Sequence, residues 1–387
     1  MPCRGKLAAA LALVACCASP AHAQAPDDPL FAYQWHLRAI QIPAAWEVSR
    51  GAGVTVAVLD TGVAYENRRS YRRAPELAAT RLVSGYDFVD GDAHPNDVPP
   101  RGGRRSHGTQ MASIIAATAG NALGGAGVAP EAAIMPVRVL EPDLSGSARS
   151  IARGLRFAAD HGADVASLSI AGRSPSRQLK SAVTYATSRG VVVVAATGND
   201  GLDSVSWPAA YPEVIAVGAV ARDRTRAPYS NYGAGLDIVA PGGAGVGGDT
   251  GYGPPDGVVS QTLKGGPGKF CFCFTASTSA AAAQVSGVAA LLIGAQPGRS
   301  PAQVRALLRS SARDLGARGP DREYGAGLVQ ASSAPRGGRA RTAPARPPAS
   351  RRPVESTPNA GWLLATVAAA ALAAVVVLRR RRRRSAT

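Results

Sequence analysis

Aromatic residues make up only 5% of this 387-residue chain, and cysteine occurs five times. Acids are also scarce, 26 against 43 Lys and Arg, which leaves a formal charge of +17. Each shortage excludes something. A single-strand nucleic-acid binder interleaves basic residues with aromatic rings on which bases stack, and no such interleaving occurs here. About two thirds of the excess charge lies after Pro335, in twelve Arg opposed by the single acid Glu355, so nucleic acid is not expected as a partner. Nor do the cysteines build a disulfide framework. Cys3, Cys16 and Cys17 fall in a leader, and Cys271 and Cys273 remain. Two residues apart on an extended segment, that pair would close a strained loop, so both are expected as buried free thiols. No internal repeat is present. What is plentiful is apolar residue (46%), Gly (44) and Pro (29), which suits a globular body with a sizeable core and many tight turns.

The two ends read as addresses. Arg4 and Lys6 precede an apolar stretch from Leu7 to Ala15, and Ala21-His22-Ala23 supplies the small residues a signal peptidase needs. Residues 1–23 are therefore expected to be a signal peptide cleaved after Ala23. Lipid attachment at Cys16, in Leu13-Val14-Ala15-Cys16, is the rival processing. Ala360 to Leu378 is 19 residues without a charge, long enough to cross a bilayer core of about 30 Å as a transmembrane helix. Arg379 to Arg384 follow at once, and the positive-inside rule keeps residues 379–387 cytoplasmic with everything upstream outside. The protein is thus expected to be exported and held at the outer face of the membrane or the cell surface. This arrangement also resembles sorting tails that a transpeptidase trims, which would make such an enzyme a partner. Residues 335–359, rich in Pro, Arg and Ala, form an extended linker. A short segment, 24–34, leads into the body at 35–334.

Within the body, near-continuous apolar runs alternate with helical stretches. Val54 to Leu59, Ala132 to Leu140, Asp164 to Ile170 and Val191 to Ala196 read as strands buried on both faces. Ser147 to His161, ended by Gly162, and Leu179 to Ser188, ended by Gly190, have helical spacing. The pattern predicts a mostly parallel central sheet covered by helices, a three-layer α/β domain with right-handed crossovers. In such a sheet functional groups collect at the C-terminal strand ends. Asp60 follows the first strand and Asn199 closes the run from Val191 to Gly198. His107 opens the helical segment Met111 to Ala117, and Ser279 opens a long helix of small residues. A helix N-terminus offers unpaired N–H groups and a positive dipole end, which favour negative charge.

The order Asp, His, Ser is the one the subtilisin triad follows. The local strings resemble that family closely: Val58-Leu59-Asp60-Thr61-Gly62-Val63, Ser106-His107-Gly108-Thr109, Gly127-Val128-Ala129-Pro130 and Gly198-Asn199-Asp200-Gly201. Ser230-Asn231-Tyr232-Gly233, Val239-Ala240-Pro241-Gly242 and Tyr324-Gly325-Ala326-Gly327-Leu328-Val329 continue the set, and the resemblance spans roughly Trp35 to Ala334. It implies a subtilisin-like fold and a serine endopeptidase acting on protein or peptide substrates. Ser279 would be the nucleophile, His107 the general base and Asp60 the group that orients the imidazole. Asn199 would donate to the oxyanion together with the Ser279 N–H. Ser169, Ile170, Ala171 and Gly172 would pair with the substrate backbone and, with Ala195, Ala196, Thr197 and Gly198, line the pocket before the cut. The resemblance also implies a cis peptide at Trp207-Pro208.

Some positions depart from the family pattern. Gln110 stands where a second His is common and Ser113 where Gly is. Ser277 replaces a Gly that could adopt angles a Cβ penalises, and Ala283-Gln284 replace a Pro-His pair. None is a triad or oxyanion group. The chemistry requires no cofactor. A structural calcium is admitted in two places, the acidic loop of Asp87, Asp90 and Asp92 and the turn from Asn121 to Gly127, with a merely solvated acidic loop as the equal alternative. Two other functions fit the same residues: a catalytically degenerate relative that binds extended peptides along the Ser169 segment, and an acyl transferase or ligase.

Overall fold

The computed structural model describes residues 26–102, 104–245 and 256–331. The expected signal peptide, linker, transmembrane run and basic tail lie outside them. The chain divides into one unit over Met1–Ala343 and another over Pro344–Thr387, the latter wholly outside the described residues.

Two short helices, α1 (Trp35–Ala39) and α2 (Ile42–Ala45), lead into β1 (Thr55–Asp60), β2 (Tyr86–Asp87), α3 (Gly108–Ala116) and β3 (Ala133–Arg138). Then come α4 (Ala148–Asp160), β4 (Val165–Leu168), α5 (Arg177–Ser188), β5 (Val192–Ala196), β6 (Ile215–Val220) and β7 (Ile238–Pro241). An antiparallel hairpin, β8 (Val258–Leu263) and β9 (Phe270–Thr275), precedes α6 (Thr278–Ala295) and α7 (Pro301–Ser310). The other seven strands form one sheet in the order β2-β3-β1-β4-β5-β6-β7, with every pairing parallel. The expected three-layer α/β architecture is what forms.

Alternation along β1 shows how the layers are made. Val56 and Val58 point into a core with α3 and α6, while Ala57 and Leu59 point into a second core with α4 and α5. Because both faces are covered, every residue of β1, β3 and β5 is buried. On α4 the buried residues Ile151, Ala152, Leu155, Ala158 and Ala159 recur at helical spacing. Ser147 caps its first turn by accepting from Ser150 N, and Gly162, at φ +82°, ends it. Helix α6 is different. It is apolar all round, and by length and composition alone it could cross a membrane, yet it runs through the core with 89% of its apolar window buried. Gly287 lets it approach, since a Cβ there would lie 2.6 Å from the Val128 side chain.

Two expectations are corrected. Cys271 and Cys273 are joined in a disulfide rather than buried as free thiols. They lie half-exposed on β9, the outer strand of a hairpin whose other strand, β8, is buried against α3. Residues i and i+2 of a strand share a face, and their Cα atoms, 5.9 Å apart, fall within disulfide range. The acidic loop is not a free oxygen cage either. Arg138 at the end of β3 is nearly buried, and its Nη1 donates to Asp87 (2.6 Å) and Asp90 (2.5 Å), with Asp87 1% exposed. The guanidinium occupies the place a cation would take. Removing one partner of such a buried pair strands the other charge. Arg138→Met should therefore lower unfolding free energy by about 3–5 kcal/mol in urea melts, and added calcium should not restore it.

Candidate active site

Asp60 is the last residue of β1 and is 1% exposed. Its Oδ1 accepts from Thr61 N (2.8 Å), and its two oxygens lie 2.8 and 2.9 Å from His107 Nδ1. A carboxylate can only accept, so Nδ1 must carry the proton, and Nε2 is left as the basic nitrogen. Burial by itself would lower the His107 pKa. The Asp60 charge, the Asp60 hydrogen bond and the more distant Asp97 outweigh burial and hold it above the usual imidazole value.

What fixes His107 on its partner is a buried acid with no signal in the sequence beyond its type. Asp97, 1% exposed, accepts from Thr61 Oγ1 (2.8 Å), Thr109 N (2.8 Å) and Thr109 Oγ1 (2.6 Å). Thr61 Oγ1 in turn accepts from Gly108 N (2.9 Å), and Thr109 Oγ1 from Ala64 N (2.9 Å). The end of β1 is thereby tied to the first turn of α3. Burial drives the Asp97 pKa up, against these donors. Gly108 is required for the approach, because a Cβ there would sit 2.0 Å from Gly62 O and 3.0 Å from Asp60 Cβ.

Ser279 lies in the first turn of α6, 6% exposed, and its Oγ reaches toward Ser169 O at 3.5 Å. Ser169 Oγ donates back to Ser279 O (3.1 Å). The preceding Ser277 has φ −169°, extended backbone that any residue adopts, so the Gly it replaces is not needed for its angles. Its side chain instead caps α6, accepting from Ala280 N. Asn199, on the loop after β5, uses Oδ1 to accept from both Thr278 N and Thr278 Oγ1 at 2.8 Å. Its amide is thereby oriented, with Nδ2 left to donate. His107, Asn199, Ser277 and Ser279 line one cleft, walled by Arg104, Arg105, Gln110, Pro142, Leu144 and Thr275.

The predicted substrate residues separate into two groups. Ile170, Ala171 and Gly172 reach the surface beyond β4, and Gly172 pairs with Trp207 through both backbone groups, at 2.6 and 2.9 Å. Ser169, Ala195, Ala196, Thr197 and Gly198 are buried beneath them. Thr197 Oγ1 donates to Asn231 O (2.9 Å), and Gly198, at φ +109°, leaves no room for a Cβ beside Asn231 Nδ2. The Trp207-Pro208 peptide is cis.

Among the described residues no three of His, Cys, Asp and Glu converge as a metal group. The turn from Asn121 to Gly127 does, however, cover two buried carboxylates, Asp28 and Glu76. Asp28 accepts from Gly120 N and Asn121 N, and Glu76 from Gly125 N and the Asn121 amide. No basic side chain among the described residues pairs with either. Burial raises the Glu76 pKa to about 7, with the Asp28 charge adding to the shift.

The sequence matches the family described as Subtilase family over residues 51–327. It is 41% identical to "Subtilisin Savinase" of Lederbergia lenta over 303 residues, 78% of this chain and 98% of that protein. With "Thermitase" of Thermoactinomyces vulgaris it shares 37% identity over 295 residues, 76% of this chain and 94% of that one. Among solved structures, one titled as proteases from Pseudoalteromonas arctica PAMC 21717 superposes with a TM-score of 0.70 at 34% identity. It covers 80% of this chain and 98% of that one.

A raised imidazole pKa has a measurable sign. The neutral ring, which alone can take a proton at Nε2, should accumulate only above pH 6.5. NMR titration of the His107 ring should place its midpoint above that value, and Asp60→Asn should move the midpoint down. A wild-type midpoint below 6.5 would show that burial dominates and the Asp60 contact is not made in solution.

Proposed function

The chain belongs to the subtilase family and is a serine-type endopeptidase, and from that premise we propose that it cuts peptide bonds through an acyl-enzyme on Ser279. The grip of both Asp60 oxygens on His107 Nδ1 carries this reading. It fixes the tautomer in which Nε2 is a base beside the Ser279 cleft. In the first step the Ser279 oxygen bonds to the substrate carbonyl carbon while His107 Nε2 takes its proton. Asp60 stabilises the resulting imidazolium without itself being protonated. Negative charge collects on the carbonyl oxygen, and Asn199 Nδ2 with the Ser279 N–H at the α6 terminus are the donors for it. When the C–N bond breaks, His107 returns the proton to the leaving amine. Water, activated by the same nitrogen, then releases the acyl group and restores Ser279.

The substrate backbone would pair along Ser169 to Gly172, with the side chain before the cut directed over Ala195 to Gly198. Asp28 and Glu76 suit a structural calcium. Two buried carboxylates without a basic partner among the described residues are the hard oxygen donors that ion takes. Its contribution would be to neutralise that pair and hold the Asn121 turn. Export and membrane tethering rest on the sequence ends, an apolar leader and the uncharged run from Ala360 to Leu378.

Three measurements check this. A fluorophosphonate probe should modify Ser279 in the wild type, leaving Ser279→Ala unlabelled, as read by mass spectrometry of the digest. Absence of an adduct on folded protein would remove the acyl-enzyme. Asn199→Leu should lower kcat by ~100- to 1000-fold with a smaller change in KM. Chelation should lower the melting temperature of the wild type while leaving Glu76→Gln, which has lost the anionic ligand, nearly insensitive.

A further inference from the structure

A groove between α4 and α5 is lined by Arg149, Arg153, Arg156 and Arg177, with Ala152, Gln178 and Ser181 between them. Arg149, Arg153 and Arg177 are exposed, and Arg156 is half-buried. None of the four forms an ion pair among the described residues. Arg153 lies over the Phe88 ring, and Arg156 lies over Tyr185 and donates to Ser181 Oγ (2.8 Å). These contacts place the guanidinium groups without neutralising them. The acids nearest in sequence are held elsewhere: Asp90 by Arg138, Asp143 by Ser145 N and Asp160 by the Tyr185 hydroxyl. The arrangement is costly. Arg149, Arg153 and Arg156 recur on one face of α4, where like charges three or four residues apart repel. Arg149 and Arg177 sit in the first turns of α4 and α5, where the helix dipole disfavours cations, and neither first turn carries an acid. Among the described residues no carboxylate lines the groove to offset that cost.

The loops that border the cleft also lead into this groove. The Arg156–Ser181 and Asp160–Tyr185 rungs climb both helices in the same direction, so α4 and α5 run parallel with their N-termini together. Those N-termini follow the C-terminal ends of β3 and β4. Between β3 and α4 come Pro142 and Leu144, which line the cleft. Between β4 and α5 comes Ser169 to Gly172, the segment assigned above to the substrate backbone. We propose that the groove is a second binding site for the substrate, taking an acidic stretch of polypeptide outside the residues around the cut. This rests on the endopeptidase reading above and names the substrate class for it: proteins with a cluster of Asp or Glu a short distance along the chain from the cleaved bond. Guanidinium groups match carboxylates in planar, two-pronged geometry, and the two helix N-termini add their own preference for negative charge. A basic stretch in the same place would meet four like charges.

The test reads kcat/KM of the full chain on peptides that share one cut site and carry a tract of Glu, Gln or Lys some residues away, on either side of the cut. Glu peptides should exceed Lys peptides by roughly tenfold on one side, with Gln between, as a few exposed charge pairs together imply. The gain should lie mostly in KM and shrink as salt is raised. Arg149→Glu combined with Arg177→Glu should bring the Glu-to-Lys ratio to one or below. The melting temperature of that variant should not fall, since acids suit those first turns; a fall would mark the arginines as structural and overturn the site. Arg318→Glu, the same charge change on an exposed residue outside groove and cleft, should leave the ratio where it was. Efficient cleavage with a ratio near one on both sides would overturn the second site alone, as would a ratio that Arg318→Glu shifts as much as the paired change. A ratio near one together with binding to phosphatidylglycerol vesicles that the paired change abolishes would give the groove to a lipid surface, and so overturn it too. No cleavage of any peptide, with Ser279 unlabelled by fluorophosphonate, would instead overturn the endopeptidase reading and the second site with it.

Discussion

A single buried carboxylate, Asp97, holds two elements of this protein in register. By accepting from Thr61 and twice from Thr109 it joins the end of β1 to the start of α3. The Asp60–His107 contact spans that same junction and needs it fixed to within a few tenths of an ångström. An imidazole held by one carboxylate alone could still rotate about its own bonds. Here the backbone on either side of each partner is pinned as well, through Gly108 N to Thr61 and Ala64 N to Thr109. The cost is a desolvated acid, offset by three donors in a region where hydrogen bonds to charge are worth more than in water.

The sheet supplies the rest. β1 is flanked by β3 on one side and β4 on the other, so the chain leaves its C-terminal end in two directions and opens a crevice there. Asp60 lies at that end, Ser169 just past the end of β4, and the first turns of α3 and α6 bring His107 and Ser279. Four side chains distant in sequence come together because each lies at the end of a rigid element or within two residues of it. Loops alone would not place them so well.

Much of this was legible beforehand, and the reasons differ residue by residue. The four strands read from apolar runs appear within one or two residues of their expected bounds, because burial on both faces leaves no choice of residue type. Asp60, His107 and Ser279 stood out through the strings around them. Asp97 did not, since its partners are 36 and 12 positions away and nothing local marks an acid that will be buried. The acidic loop misled for the same reason: Arg138, which satisfies it, comes 48 residues after Asp90. The cysteines were misjudged because their environment, the half-exposed outer strand of a hairpin rather than a buried one, is a tertiary property. Ser277 was suspect only so long as its backbone was taken to need a glycine; its extended φ removes the objection and the side chain adds a cap.

Helix α6 has one further consequence. It is apolar on every side and closes both the sheet and the first turns around Ser279, so it has no stable place until its surroundings have docked. Asp60 and His107 come from the first third of the chain and Ser279 from the last. Until α6 is in place, the chain has no nucleophile to present to His107. Such an intermediate is chemically idle. A protein-cutting enzyme whose attacking group arrives only with the finished core cannot cut anything while it is itself unfinished.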